Sequence, residues 1–404
     1  MNNRLRKPLA LLLVLCLLFA SLPAALAADD RAAAAEPESP QELTEPPLTG
    51  FHHLELPGYH LPAEEKAGGN RDPLPASFNA AAQGWVTPVR NQQPYGTCWA
   101  FGTLSPIESY MIKHQIPVGS TGTAAAADLD LSEYHLSYFS YTNAYDELGL
   151  TDGDSSILAD SHLSIGGDGY KSTLTLMRWE GPASEEIPAL AYNQADPTGT
   201  IDPKYAYAYD VAHISDVDWI NTSDRDAVKR AIMEYGSGFF GYCWMQAYNS
   251  TNGSGAYCYI QNNYNYGANH AVTLVGWDDN YSKENFNYLP ANSRPQNDGA
   301  WIVKNSWGAG GSLAAYTDNG YNYISYEDTA SYNETCMFFK AAPVDNYQHI
   351  YQYDGTLNID DYVGLMSNHS KVANVFTAQG HEKVEAVSIL TLEEGLGYTL
   401  EAGS

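Results

Sequence analysis

The stretch Gln92-Gln93-Pro94-Tyr95-Gly96-Thr97-Cys98-Trp99-Ala100-Phe101 carries the reading of the whole chain. Its first half is a polar loop punctuated by Pro94 and Gly96, residues that interrupt regular structure. Its second half opens a helical period. Phe101, Leu104, Ile107 and Met111 recur three or four apart and predict one apolar face. Pro106 lies inside that helix, where it removes a hydrogen bond and crowds the carbonyl of Gly102, so a kink is expected there. Cys98 therefore opens a helix, where unsatisfied N–H groups and the positive end of the dipole favour thiolate over thiol. A thiolate attacks carbonyl carbon, so the placement suits acyl transfer. Taken alone, a cysteine reads more readily as a core residue, and the assignment needs partners elsewhere.

Two later segments offer them. Asn269-His270-Ala271-Val272-Thr273-Leu274-Val275-Gly276-Trp277 sets a histidine just ahead of an apolar run of strand length. Ala300-Trp301-Ile302-Val303-Lys304-Asn305-Ser306-Trp307-Gly308 ends a second such run with an asparagine between aromatics. Each has a plain structural reading, the histidine as a strand-end packing residue and Asn305 as a turn former. The chain has no CxxC or HExxH pattern, so no zinc site and no cofactor is expected.

Together, in the order Cys, His, Asn, the three segments resemble the papain family of cysteine peptidases. The resemblance runs from about Leu74 to Phe339 and takes in Leu74-Pro75-Ala76-Ser77-Phe78, Val86 to Gln92, and Leu131-Ser132-Glu133, which begins a helix in that family. It implies an α+β fold in two parts, a helical part and a β-barrel-like part, with the active-site cleft between them. It implies hydrolysis of peptide bonds in peptides or proteins, with Cys98 and His270 as a thiolate–imidazolium pair and Asn305 orienting the imidazole. Gln92 with the Cys98 N–H would hold the oxyanion, Gln93 being the competing choice. Trp307 resembles the indole that screens the His–Asn bond, and Gly166-Gly167 the pair that admits substrate backbone to the cleft wall. Tyr95 stands where many members carry a disulfide cysteine. Cys98 and His270 lie 172 residues apart, against the ~130–150 usual for the family. Insertions at Gly119 to Ala127 and Asn249 to Asn265 are expected to hold the excess.

The flanks complete the organisation of the 404 residues, which exceed one average domain. Arg4, Arg6 and Lys7 precede an apolar run from Leu9 to Leu22 and then Ala25-Leu26-Ala27, the pattern of a cleavable signal peptide over residues 1–27. The chain is thus expected outside the cell or at its surface, without a retained membrane span. Residues 28–73 are acidic and proline-bearing and read as a linker or short pro-segment. Residues 74–342 form the peptidase unit. Residues 343–404 resemble the start of a lectin-like β-sandwich module attached to some bacterial papain-like peptidases, with surface carbohydrate as the implied partner. Tyr347 to Tyr353 and Val372 to Thr377 carry that resemblance, and Lys371 to Thr377 and Val384 to Leu392 are short alternating segments without a helical period.

Composition narrows the function further. A formal net charge of −28, from 48 acids against 20 Lys and Arg, excludes the basic face that nucleic acid requires. The acidity reads as solubility, with cationic substrates or bound calcium as the alternatives. Cys243 and Cys258 close a loop of sensible size for a disulfide in an exported protein, though spacing does not fix the pairing. Among secondary elements, Asp226 to Tyr235 predicts a helix, Gly238 to Tyr242 a strand, and Asp278 to Asp298 an exposed loop. The rival to a working peptidase is a surface-binding, adhesin-like protein on a degenerate peptidase scaffold. The retention of Gln92, Cys98, His270 and Asn305 argues against it.

Overall fold

The computed structural model describes residues 72–118, 122–123, 128–142, 162–196, 199–207, 209–251, 257–259, 267–310, 313–332, 334–351, 375–387 and 399, leaving out single residues 208 and 333. The helices are α1 (Cys98–His114), α2 (Glu133–Phe139), α3 (Gly169–Met177) and α4 (Arg225–Tyr235). The strands are β1 (Ser77–Asn79), β2 (Pro117–Val118), β3 (Gly122–Thr123), β4 (His213–Asn221), β5 (Gly238–Tyr242), β6 (Asn249–Thr251), β7 (Tyr257–Tyr259), β8 (His270–Asp278), β9 (Ala300–Lys304), β10 (Tyr321–Ser325) and β11 (Thr335–Ala342). Among the described residues no helix is long and apolar enough to cross a membrane.

The class is α+β, as expected. The strands build a nine-stranded sheet in the order β4-β11-β5-β8-β9-β10-β7-β6, with β1 added on β8. Every pairing within it is antiparallel except β7 on β10. The apolar runs Ala271 to Trp277 and Ala300 to Lys304 become neighbouring strands β8 and β9, both buried along nearly their whole length. Sheets covered on both faces lose the alternation of an exposed strand, which is why these runs read as continuous hydrophobics. β1 ties the front of the chain to β8, with Ser77 opposite Asp278 and Asn79 opposite Gly276. Trp277 Nε1 also donates to Pro75 O at 3.1 Å, and the Asp279 N–H to Ala76 O at 2.8 Å.

Helix α1 lies against β8, β5 and β11. Leu104, Ile107 and Met111 pack with Phe239, Ala271, Met337 and Phe339 in one core, whereas Phe101, expected on the same face, packs with Tyr134, Tyr138 and Phe139 in another. Burial extends well past that face, to Trp99, Ala100, Thr103, Ser105 and Glu108; α1 is a core helix rather than a surface one. It runs on through Pro106 to a left-handed C-cap at Gln115, with Lys113 in its last turn, where a cation offsets the negative end of the dipole.

Three expectations are refined. Residues between Asp278 and Asp298 form two short 3-10 turns, Lys283–Phe286 and Ala291–Ser293. Tyr281, Phe286 and Leu289 bury there against Ala300, so the segment is not simply an exposed loop; its few apolar side chains are enough to close a small core over the end of β9. The expected insertion at Asn249 to Asn265 carries the hairpin β6–β7, β3 in the expected insertion at Gly119 to Ala127 pairs back onto β2 just ahead of it, and β7 extends the main sheet beyond β10. At the C-terminus, Lys371 to Thr377 and Val384 to Leu392 lie largely outside the described residues; the described part of this region, residues 375–387, forms no strand and leaves Val375, Val384 and Val387 exposed.

Candidate active site

The front of α1 and the ends of β8 and β9 bring the three sequence segments together. Cys98 is the first residue of α1, and its Sγ accepts a hydrogen bond from the Ala271 N–H at 3.5 Å. Ala271 directly follows His270, which opens β8, so the thiol meets the chain beside the imidazole. Asn269 fixes that turn in the backbone. Its side chain pairs with both polar groups of Trp244, Oδ1 accepting from the N–H at 2.7 Å and Nδ2 donating to the carbonyl at 3.1 Å.

His270 Nε2 lies 2.9 Å from Asn305 Oδ1, the residue just beyond β9. Because an amide oxygen only accepts, Nε2 carries the proton and the neutral ring is left with Nδ1 unprotonated. Nδ1 is buried and has no hydrogen-bond partner, a costly condition in a core and the arrangement expected of a nitrogen kept for proton transfer. The Trp307 ring stacks on His270 with centroids 4.7 Å apart and planes 17° apart, and Trp244 meets Trp307 edge-on at 5.2 Å. The indole thus shields the imidazole–amide bond, strengthening it by excluding water.

Gln92 is fully buried. Its backbone N–H donates to Ser306 O at 2.8 Å, its Oε1 accepts from Ser306 Oγ at 2.7 Å, and its Nε2 donates to Tyr95 O at 3.0 Å. This fixes the plane of the amide and assigns its nitrogen. Gln93 has no such clamp; its Nε2 is buried without a partner. Tyr192 adds a brace, its hydroxyl donating to Gln92 O at 2.6 Å and meeting Thr97 Oγ1 at 2.5 Å. Neither Ser306 nor Tyr192 stood out in the sequence. Ser306 sits inside the quoted β9 segment and was readable there from its place beside Asn305, whereas Tyr192 lies a hundred residues from Gln92 and gives no local signal.

Gly166 and Gly167 precede α3 and are both buried. Gly166 adopts φ 83°, and a Cβ on Gly167 would come within 2.5 Å of the Trp99 ring. The second glycine is thus required by its packing against α1, whatever it offers a ligand.

One expectation fails on electrostatics. The helix N-terminus was expected to hold Cys98 as thiolate, but complete burial pushes the thiol up to about 12, outweighing the N–H contacts that pull it down. Burial likewise pushes His270 down to about 4 against the opposing bond to Asn305. Thr97 does not cap α1 with its side chain. Burial thus favours the uncharged form of each group.

A family model described as papain family cysteine protease matches residues 74–125 and 167–341, more than half of the chain, and a lectin-like domain model matches residues 350–403. The chain is similar to the cysteine protease and lectin-like domains of Cwp84, a surface layer associated protein of Clostridium difficile, with 26% identity and a TM-score of 0.52, covering 74% of this chain and 56% of that one. A structure of the clostridial cysteine protease Cwp84 after propeptide cleavage gives 30% identity and a TM-score of 0.51 over 68% of this chain and 61% of that one. The Arabidopsis thaliana protein named probable cysteine protease RD19C is 26% identical over 264 residues, 64% of this chain and 60% of the relative. The chain thus spans about three-fifths of the length of these relatives.

Proposed function

Because the chain belongs to the papain family of cysteine proteases, we propose that it is an exported peptidase that hydrolyses peptide bonds through Cys98, His270 and Asn305. The observation that carries this reading is the buried, unpartnered Nδ1 of an imidazole whose other nitrogen is held by Asn305, beside a thiol at the start of a helix.

In this reading the Cys98 proton passes to His270 Nδ1 when substrate enters, and the sulfur attacks the scissile carbonyl carbon. The carbonyl π pair moves to oxygen, which the Cys98 N–H and Gln92 Nε2 stabilise. The imidazolium then protonates the leaving nitrogen as the C–N bond breaks, leaving a thioester on Cys98. Water gives a proton to Nδ1 and attacks the thioester carbon, and as the C–S bond breaks the released sulfur takes that proton back from Nδ1. Asn305 keeps the ring in plane throughout. Gly166 and Gly167 form the wall along which substrate backbone lies, and Trp307 screens the imidazole.

Residues 28–73 act as a pro-segment ahead of a peptidase unit at 74–342. The complete burial of Cys98 and His270 fits a latent form, and one Cwp84 structure is titled as following propeptide cleavage. The signal-like residues 1–27 and the surface-layer association of Cwp84 support release to the cell surface, where the lectin-like residues 343–404 would engage carbohydrate.

The test uses the purified chain under mild reductant with a fluorogenic peptide library, before and after limited proteolysis, beside Cys98→Ala and with a thiol-alkylating epoxide. Cleavage that appears on processing and is abolished by both treatments is the expected result. A processed chain that folds, yet neither cleaves nor takes the epoxide at Cys98, would reject the peptidase reading in favour of a surface-binding protein.

A further inference from the structure

Three carboxylates from two chain segments converge beside Arg90. Asp130 and Glu133 flank Ser132, the N-cap of α2, and Glu185 lies on the segment opposite. Backbone bonds fix the approach: the Ser132 N–H donates to Ala183 O at 2.9 Å, the Glu185 N–H donates to Asp130 O at 2.9 Å, and Leu131 bridges Ser184. One oxygen from each of the three carboxylates lies within 4.8 Å of the other two.

Charge does not balance there. Arg90 donates to Asp130 Oδ2 at 2.5 Å and to Leu129 O at 2.6 Å, and stands 3.6 Å from Glu108 Oε1. Lys304 donates to Thr87 Oγ1 at 3.1 Å and Ser105 Oγ at 3.0 Å. Against these two cations stand Glu108, Asp130, Glu133 and Glu185. Glu108 has its own donors in the Thr87 hydroxyl and the Leu131 N–H. Asp130 is held by Arg90 and Glu185 by the Tyr192 N–H, but Glu133 Oε2 is buried with no hydrogen-bond partner, and Glu133 is only 3% exposed. Orphaned carboxylate oxygens at this depth are expensive. Burial and mutual repulsion push Asp130 up to about 7 and Glu133 well above the carboxylate range. With all four carboxylates ionised the cluster would be two positive charges short, and protonation or a bound cation relieves that deficit.

We propose that Asp130, Glu133 and Glu185 form a binding site for a divalent cation with a preference for hard oxygen ligands, and that the ion is calcium. Opposed ligands of calcium stand roughly 4.6–5.2 Å apart, since each bond is about 2.3–2.6 Å, whereas magnesium requires a tighter octahedron at about 2.0–2.1 Å. The absence of His or Cys from the set disfavours softer transition metals. Asp130 and Glu185 are half-buried, which gives the ion a way in and lets water complete its shell. The site also reaches the catalytic loop. Glu185 Oε1 accepts from the Tyr192 N–H at 2.9 Å, and the same tyrosine braces Gln92 and Thr97. Bound calcium cross-links residues 130–133 to 183–185 and stiffens that brace.

The experiment strips the purified chain with chelator, removes the chelator, and titrates calcium chloride while following thermal unfolding and heat of binding. Stripped protein should melt at a higher temperature as calcium is added, with saturation below about 1 mM, within the range of extracellular calcium modules. Glu133→Gln should melt above stripped wild type without calcium, because folding no longer has to protonate or bury that carboxylate, and should lose one bound equivalent. Glu185→Gln, at a half-buried position, should lose the same equivalent; calcium held elsewhere in the chain would survive both changes. A stripped wild type unresponsive to calcium up to about 10 mM, or variants that keep every equivalent, would overturn the site. A magnesium response equal to that of calcium would overturn the choice of ion.

Discussion

Asn305 and Ser306 are consecutive, yet they hold two different parts of the proposed site, the imidazole through Oδ1 and the Gln92 amide through Oγ. Their variants should therefore separate. Asn305→Ala frees the imidazole to turn out of plane, and a reacting group misplaced by an ångström costs about 10²-fold in kcat. Ser306→Ala removes one neutral hydrogen bond, worth about 1 kcal/mol, so kcat should fall about fivefold with KM nearly unchanged. Steady-state kinetics on one peptide substrate decides both; equal losses from the two variants would contradict the separate roles. At this scale the sequence was informative wherever a residue sits inside a motif, as Cys98, His270, Asn305 and Gln92 do. It was silent on Tyr192, whose role depends on a contact made across a hundred residues. It misjudged the ionisation of Cys98, because counting N–H groups at a helix start is local arithmetic whereas desolvation is a property of everything packed around the thiol.

Strands β5, β8 and β9 and helices α1 and α4 emerge within a residue or two of where periodicity places them, because the strands are apolar segments of strand length and the helices carry apolar residues at helical spacing. The segment between β8 and β9 was the harder reading. Its charged and turn-forming residues conceal the apolar Tyr281, Phe286 and Leu289, which close on Ala300. The hairpins β2–β3 and β6–β7 were legible as extra length only, since pairs of two- and three-residue strands carry no period. The contact between α1 and the turn before α3 gives a direct test of element packing. Gly167→Ala forces its Cβ into the Trp99 ring, and overpacking of this kind costs about 1–3 kcal/mol. Chemical denaturation should show a lowered midpoint at unchanged slope. A midpoint equal to wild type would mean that the wall yields without strain.

For the molecule as a whole, acid sensitivity follows from histidines buried without charge. His162, only 2% exposed and packed between Tyr134 and Tyr138, is pushed down to about 4 by burial. The unfolded chain takes up a proton there near pH 6.5 and the folded chain does not, so stability is lost as pH falls from about 6.5 toward 4. His162 alone should cost about 2 kcal/mol on going from pH 7 to pH 5. His162→Gln should narrow the difference in unfolding free energy between those two pH values by that amount; an unchanged difference would place the acid sensitivity elsewhere. The pairing of β1 with β8 bears on a different property, the length of the chain after processing. Exopeptidases trim an end that is free to enter their own active sites, and residues 75–79 are held by the Trp277 indole, by the Asp279 N–H and by strand β8. On the proposed removal of residues 28–73, a cut made upstream would erode back to one boundary, so that the front end would be set by this sheet and not by the sequence preference of whatever made the cut.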